Sequence, residues 1–278
     1  MAVVDKVLWI IERNSEQALT LPAIATACGV SRSHLANAFG TASGWPVMKY
    51  LKARRLSEAA KRLATGAPDI LTVALEAGYG SHEAFTRAFR DQFSRTPEAV
   101  RRQQSLRDIE IVEPIELSSR RIRAPVPALR DLGHLRLVGL SAPCSFRELA
   151  NIPGQWRRFM ANHYFSIPRK IEQMPIGVCG APDEAGSFQY ICAAEVEAFE
   201  GCEAALTRIE TGPGPYAVFE HADHVSTIFD TYTAIWNEAL PAMGRRVADE
   251  PVLEFHNDAF DPDTGLGGLQ ICIPLERR

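Results

Sequence analysis

The 278-residue sequence lacks the features that mark secreted proteins, membrane-spanning proteins and proteins stabilised by a metal ion. Its six cysteines are scattered, with no Cys-x-x-Cys pair and no histidine pair at zinc-finger spacing, so we expect neither a disulfide framework nor a metal site. No run of about 18 apolar residues is present, and no cationic start leads into an apolar stretch as in a signal peptide. We therefore expect reduced cysteines, no membrane association and a cytoplasmic location.

Charge is unevenly divided along the chain. Residues 1–107 hold 15 Lys and Arg against 9 Asp and Glu, a net of +6, whereas residues 108–278 hold 15 against 25, a net of −10; together these give the total of −4. A basic segment beside an acidic one indicates that only the first part meets a polyanion. We expect two domains, 1–107 and 128–278, joined by a charged, proline-rich linker at 108–127.

One helix-turn-helix pattern occurs twice in the basic segment. Residues 19–40, LTLPAIATACGVSRSHLANAFG, and residues 70–93, ILTVALEAGYGSHEAFTRAFRDQF, align so that Gly29 and Gly78 fall at the two turns. Each turn needs a residue that tolerates positive φ, and each helix before it needs a small residue where the next one crosses, Ala25 and Ala74. The pattern predicts an all-α domain in which a long helix, 46–64, joins two units.

Each unit has an inner and an outer face on its second helix. The large apolar residues predicted to fill the core are Leu35, Phe39, Phe85 and Phe89, and the predicted N-caps include Thr20 and Ser31. A single copy of this pattern also suits an ordinary three-helix bundle, but two copies in a basic segment favour DNA binding. The outward residues are Arg32, Ser33, Ala36 and Asn37, then His82, Glu83, Thr86, Arg87 and Arg90.

The stretch GYGSHEAFTRAFRDQFSRTPEAVRR, residues 78–102, resembles the signature of AraC/XylS-type transcriptional regulators. The resemblance implies that both second helices enter successive major-groove segments of double-stranded promoter DNA. The implied DNA-binding residues are Arg32, Ser33, Asn37, His82, Glu83, Arg87 and Arg90. Arg87 would donate to guanine and Glu83 would accept from cytosine. The residues that would contact phosphates or solvent are Arg32, Arg90, Arg95, Lys49 and Arg54. RNA polymerase is a further candidate partner.

The acidic part alternates seven strand-like runs with two helical patterns around Trp156 and Trp236, which predicts an α+β domain. Its two halves read as βαββ-type repeats, two sheets around a central cleft. GPYAVFEHAD, LEFHND and LQICIPL are similar to the GyrI-like effector-binding domain of Rob-type regulators. That resemblance implies a small lipophilic or amphipathic effector held by aromatics and a buried glutamate. The candidate ligand-binding residues are Trp156, Tyr190, Phe219, Trp236, Glu254 and His256.

Three functions follow from these patterns, and the first is favoured. A ligand-responsive regulator uses both domains, without cofactor or metal. A hydrolase would use Glu254 as general base with His256 polarising the substrate, but no nucleophile beside a base is evident, so we expect no catalytic residue. A constitutive DNA-binding protein would use its acidic domain only to contact partners.

His221 and His224 more readily line a pocket or face solvent than bind zinc. Gln270 stands where the GyrI-like resemblance implies a glutamate.

Overall fold

The computed structural model describes residues 2–14, 18–67, 69–115, 124–146, 148–171, 174–262 and 264–277. Up to residue 103 its regular structure is entirely helical, and this part is called the helical domain. Its helices are α1 (Val3–Arg13), α2 (Leu21–Cys28), α3 (Arg32–Ser43), α4 (Val47–Ala64), α5 (Ile70–Glu76), α6 (His82–Phe93) and α7 (Pro97–Gln103). The α2–α3 and α5–α6 pairs are the two predicted units, and α4 joins them.

Local signals set the helix ends as predicted. Thr20 accepts a hydrogen bond from the Ala23 amide and Ser31 from the His34 amide, at 3.3 and 3.1 Å. Gly29 and Gly78 adopt φ of +73° and +81°, a conformation that side chains resist. The predicted core residues Leu35, Phe39, Phe85 and Phe89 are fully buried. The units therefore form from their own capping and packing signals.

Arg54 is part of the interior, so its predicted contact with phosphate or solvent is wrong. Its side chain is 5% exposed and pairs with Glu12 at 2.9 Å and Glu58 at 3.1 Å. It also donates to the Val112 carbonyl at 2.6 Å. Ser57 accepts from the Val112 amide at 3.0 Å. Residues 109–115 of the predicted linker therefore pack along α4. Residues 116–123 of that linker lie outside the described residues.

Residues 124–277, called the sheet domain, contain one antiparallel sheet of eight strands. They are β1 (Ala128–Leu132), β2 (Leu135–Ser145), β3 (Ile176–Cys179), β4 (Ser187–Glu195), β5 (Thr207–Thr211), β6 (Gly214–His221), β7 (Val252–His256) and β8 (Leu269–Pro274). The strand order is β1-β6-β8-β7-β3-β4-β2-β5. The prediction of two separate sheets is wrong, because β3 and β7 pair directly, Gly177 opposite Glu254.

Two helical segments cover the sheet where the sequence predicted them. Helix α8 (Ile152–Asn162) follows β2, and α9 (Ile228–Ala234) continues through a π-helical turn, Ile235–Ala239, into α10 (Leu240–Met243). Strand β1 was not predicted, because its residues are nearly all exposed and no inward-facing apolar row marks them. Within the described residues, no helix is both long and apolar enough to cross a membrane.

Candidate functional site

A cavity lies where the helical domain meets the sheet domain. Its wall is mostly apolar and includes aromatic rings from three parts of the sheet domain, Phe146, Phe188, Phe229 and Trp236. The polar side chains on the wall are Asn37, Thr41, Cys179, Tyr190, Tyr232 and Glu254. An apolar cavity with a few convergent polar groups is the usual form of a small-molecule site.

Glu254 is the polar centre of this cavity. It stands on β7 and is 5% exposed. The hydroxyls of Tyr190 and Tyr232 each donate to its carboxylate at 2.7 Å, and the thiol of Cys179 lies 3.7 Å from it. Three donors from β4, α9 and β3 thus converge on one buried acid, which makes its position precise and its burial tolerable.

The glycine at position 177 makes this convergence possible. Gly177 faces Glu254 across the β3–β7 pair. A Cβ atom there would lie 2.6 Å from a Glu254 carboxylate oxygen and 2.7 Å from the Tyr190 hydroxyl. The missing side chain therefore leaves the space in which the tyrosine meets the carboxylate.

The donors around Glu254 stay uncharged at neutral pH. Burial raises the pKa of the Tyr190 hydroxyl well above its ordinary value, and the adjacent charge of Glu254 adds to the shift. Burial likewise raises the pKa of Tyr232 and of the Cys179 thiol. A thiol held in its protonated form is a poor nucleophile, and in this position Cys179 is a hydrogen-bond donor to Glu254.

The structure places the predicted ligand-binding residues in three environments. Tyr190, Trp236 and Glu254 line the cavity. Trp156 lies behind it, where its indole N–H donates to the Tyr190 hydroxyl at 3.0 Å. Phe219 is fully buried in the core.

His256 is held away from the cavity. Its Nδ1 atom lies 3.0 Å from the Pro175 carbonyl, and its ring packs against Trp156 and Phe260. It does not line the cavity beside Glu254, so the predicted base and polarising group are not brought together.

Sequence reasoning missed Cys179 and Tyr232. Tyr232 lies four residues before Trp236, so helical periodicity places both on one face. Cys179 lies two residues after Gly177, on the same face of β3. Those spacings were the available signals, but neither shows that the side chains meet Glu254.

The other histidines and Gln270 belong to local structure. His221 is buried, with Nδ1 2.8 Å from the Thr231 hydroxyl, and His224 is exposed beside Ser226. The described residues contain no cluster of three metal-ligating side chains. Gln270 donates to Glu220 at 2.6 Å on the surface, so it does not contribute to the cavity.

The predicted DNA-binding residues differ in exposure between the two units. His82, Glu83, Arg87 and Arg90 are all exposed on α6. On α3, Arg32 is exposed at the start of the helix, but Ser33 and Asn37 are half-buried. Helix α6 therefore presents a free polar face, whereas α3 is partly covered.

The sheet domain packs against α3 and buries part of it. The His34 ring nitrogen Nε2 donates to the Trp236 carbonyl at 2.7 Å. That carbonyl lies in the π-helical turn, where the residue five positions later is Pro241, which has no N–H. The turn thus frees a buried acceptor, and the buried His34 satisfies it from the other domain.

Asn237, next to Trp236, makes a second set of contacts across the boundary. Its side-chain oxygen accepts from the Val4 amide at 2.8 Å, and its nitrogen donates to the Ala38 carbonyl at 3.0 Å. Val4 lies in the first turn of α1, where amides have no partner within the helix. Asn237 therefore caps α1 and holds α3 at the same time.

Comparison with known proteins agrees with this architecture. Residues 24–103 match the helix-turn-helix domain family, and residues 126–276 match the GyrI-like small molecule binding domain family. Transcriptional regulator Rob of Salmonella typhimurium is 26% identical over 288 aligned positions, which cover 98% of this chain and 97% of Rob. The right origin-binding protein of Escherichia coli strain K12 is 31% identical over 165 positions, 57% of this chain and 56% of that protein.

A solved structure of an AraC-type transcriptional regulator from Chromobacterium violaceum is 29% identical, with a TM-score of 0.35, and covers 37% of this chain and 92% of its own. The GyrI-like match alone spans more than half of the present chain. The protein therefore belongs to the GyrI-like small molecule binding domain family and joins that domain to an AraC-type helix-turn-helix domain, as Rob-type transcriptional regulators do.

Proposed function

We propose that this protein is a ligand-responsive transcriptional regulator whose cavity binds a lipophilic or amphipathic organic cation. The observation that carries the proposal is the carboxylate of Glu254, which is buried in a mostly apolar cavity lined by aromatic rings. Aromatic faces attract cations, and a buried carboxylate adds the matching charge. The same cavity would reject anions of equal size.

The charge of Glu254 has no partner of opposite sign in the described part of the chain. Its hydrogen-bond donors, two hydroxyls and a thiol, are uncharged, and no ion pair of these residues includes it. A buried charge without a counter-charge is costly even when it is hydrogen-bonded. A ligand cation would offset that cost, which supports a site selective for positive charge.

Two probes of nearly equal shape test this proposal. Tetraphenylphosphonium and tetraphenylborate differ mainly in the sign of their charge, and their binding to the full-length protein can be measured by calorimetry. We expect the cation to bind and the anion not to bind. Glu254→Gln should weaken cation binding by about tenfold or more, since a charge-assisted contact is lost, while Glu220→Gln on the surface should not. Equal binding of both ions would contradict the proposal.

For DNA we propose that α6 reads bases through Glu83 and Arg87, with His82 and Arg90 beside them, and that α3 contributes through Arg32, Ser33 and Asn37. The exposure of the α6 side chains supports this assignment. Arg87→Ala should cost about 1–3 kcal/mol on a selected site and relax preference at one base. To find that site, binding of the full-length protein to genomic fragments is measured at increasing salt concentration, and the retained fragments are sequenced. If Arg87→Ala weakens binding equally on selected and random duplexes, Arg87 contacts only phosphates.

We also propose the domain limits 1–107 and 128–278, and an origin of the sheet domain in two βαββ repeats. The strand order supports the repeat, because β2, β4 and β3 mirror β6, β8 and β7 on either side of the β3–β7 pair. A helix follows the first strand of each half. Glu254 lies on β7, within this central pair, which is where two repeats would create a shared cleft.

A further inference from the structure

Helix α3 is docked on the sheet domain along much of its length. His34 and Ala38 hydrogen-bond to Trp236 and Asn237, and the apolar residues of the first unit share one core with those of α9, β6 and β8. The core of the second unit is a separate cluster. The two recognition helices are therefore not equivalent, since one is fixed to the sheet domain and the other is not.

One edge of the docked helix faces the cavity. Asn37 and Thr41 both line it and lie one helical turn apart. Ser33 lies one further turn towards the start of the helix, and its carbonyl accepts from the Asn37 side chain at 3.0 Å. The predicted DNA-binding residues Ser33 and Asn37 therefore lie in one row with Thr41, and Asn37 and Thr41 of this row line the cavity.

We infer that Asn37 and Thr41 contact the ligand, so that the DNA-binding domain completes the effector site. The inference rests on the ligand-binding function proposed above. It assigns Asn37 to two surfaces, the reading face of α3 and the wall of the cavity.

The chemistry of the two side chains suits a cationic ligand. The Thr41 hydroxyl donates to the Asn37 carbonyl at 2.8 Å, and the Asn37 side chain donates to Ser33. Both residues thus use a donor within the helix, and their oxygen atoms remain acceptors. Together with Glu254 they make the polar part of the wall rich in acceptors, which favours ligands that bring positive charge or N–H groups.

A shared Asn37 links ligand binding to DNA binding. A ligand held against Asn37 and Thr41 gains these contacts only while α3 is docked, so it stabilises the docked arrangement. Base contact by Asn37 requires that the same side chain leave the cavity. Ligand and DNA therefore compete for α3, and each weakens the binding of the other by the same factor.

The test uses the full-length protein with tetraphenylphosphonium as probe. Thr41→Trp fills the cavity from the α3 side, and Asp91→Trp places the same residue at the equivalent, exposed position of α6 as the matched control. We expect Thr41→Trp to weaken probe binding by about tenfold or more, because the added ring occupies ligand space. We expect Asp91→Trp to bind like the unmodified protein.

A photolabel avoids dependence on the folding of the variant. An azido derivative of the probe, irradiated on the unmodified protein, should label the tryptic peptide 33–49. Labelling confined to the sheet domain, or unchanged binding by Thr41→Trp while Glu254→Gln loses binding, would overturn the inference and leave the proposed function intact. If the unmodified protein does not bind the probe, the proposed cationic ligand site is wrong, and the inference that depends on it is wrong as well.

Discussion

Gly40 is the residue at which docking of α3 can be tested by stability alone. It is buried within the helix, and an added Cβ atom would overlap the ring of Phe146, with Cζ at 2.7 Å. In a free helix, replacing glycine by alanine stabilises by about 0.5–1 kcal/mol, because the unfolded chain loses freedom. In the docked helix the same methyl group forces the ring aside, which costs about 1–3 kcal/mol.

The two terms have opposite signs, so their sum reports whether docking occurs. We expect Gly40→Ala to destabilise the full-length protein by about 1–2 kcal/mol, because overpacking exceeds the gain in helix propensity. With Phe146→Ala the clash disappears, and the substitution should then become neutral or stabilising by about 0.5 kcal/mol. Urea unfolding of the four proteins of this cycle, followed by tryptophan fluorescence, measures both values.

A particular result would refute the docked arrangement. If Gly40→Ala stabilises the protein equally with and without Phe146, the ring does not lie against α3 in solution. A change in the steepness of unfolding would show in addition that the two domains no longer unfold together.

Three further predictions follow from the same contacts. Arg54→Met should destabilise the protein by about 2–4 kcal/mol, because it leaves the half-buried Glu12 without its cationic partner. Adding Glu12→Gln should recover part of that loss in urea unfolding. Burial lowers the pKa of His34 below its ordinary 6.5. The stability that neutral His34 contributes is therefore complete above pH 6.5 and declines as the pH falls further. The melting temperature of His34→Gln should decline less between pH 7 and pH 5.5 than that of the unmodified protein. A selected DNA duplex at saturation should weaken tetraphenylphosphonium binding severalfold, and unchanged affinity in calorimetry would mean that ligand and DNA do not compete.

Sequence patterns predicted the parts of the fold that depend on neighbouring residues. Caps at Thr20 and Ser31 and the positive φ of Gly29 and Gly78 follow from local chemistry, and the strand runs follow from alternation. Glu254 was identified from the GyrI-like resemblance of LEFHND, and the rarity of a carboxylate in an apolar strand agreed with that choice. Its partners Tyr232 and Cys179 come from distant segments, so no local pattern connects them to it.

The contact between the domains was beyond such reasoning. Asn37 is a residue type that is common on exposed helix faces. In the sequence, Arg54 suits a phosphate contact as well as it suits a buried ion pair. Which of these holds depends on what packs against the helix. For Asn37 the packing partner is the sheet domain, with the π-helical turn that frees the Trp236 carbonyl for His34. For Arg54 the partners are Glu12, Glu58 and Val112.

Docking also accounts for a departure from the family pattern. Ser33, Ala36 and Asn37 of α3 stand where the AraC-type resemblance implies larger or basic side chains. A long side chain at position 37 would enter the cavity, and any side chain at position 40 would meet Phe146. The short residues are thus what a helix requires when one edge must fit against another domain. Helix α6, free of that constraint, keeps Arg87 and Arg90, and the base-reading strength of the protein should be concentrated there.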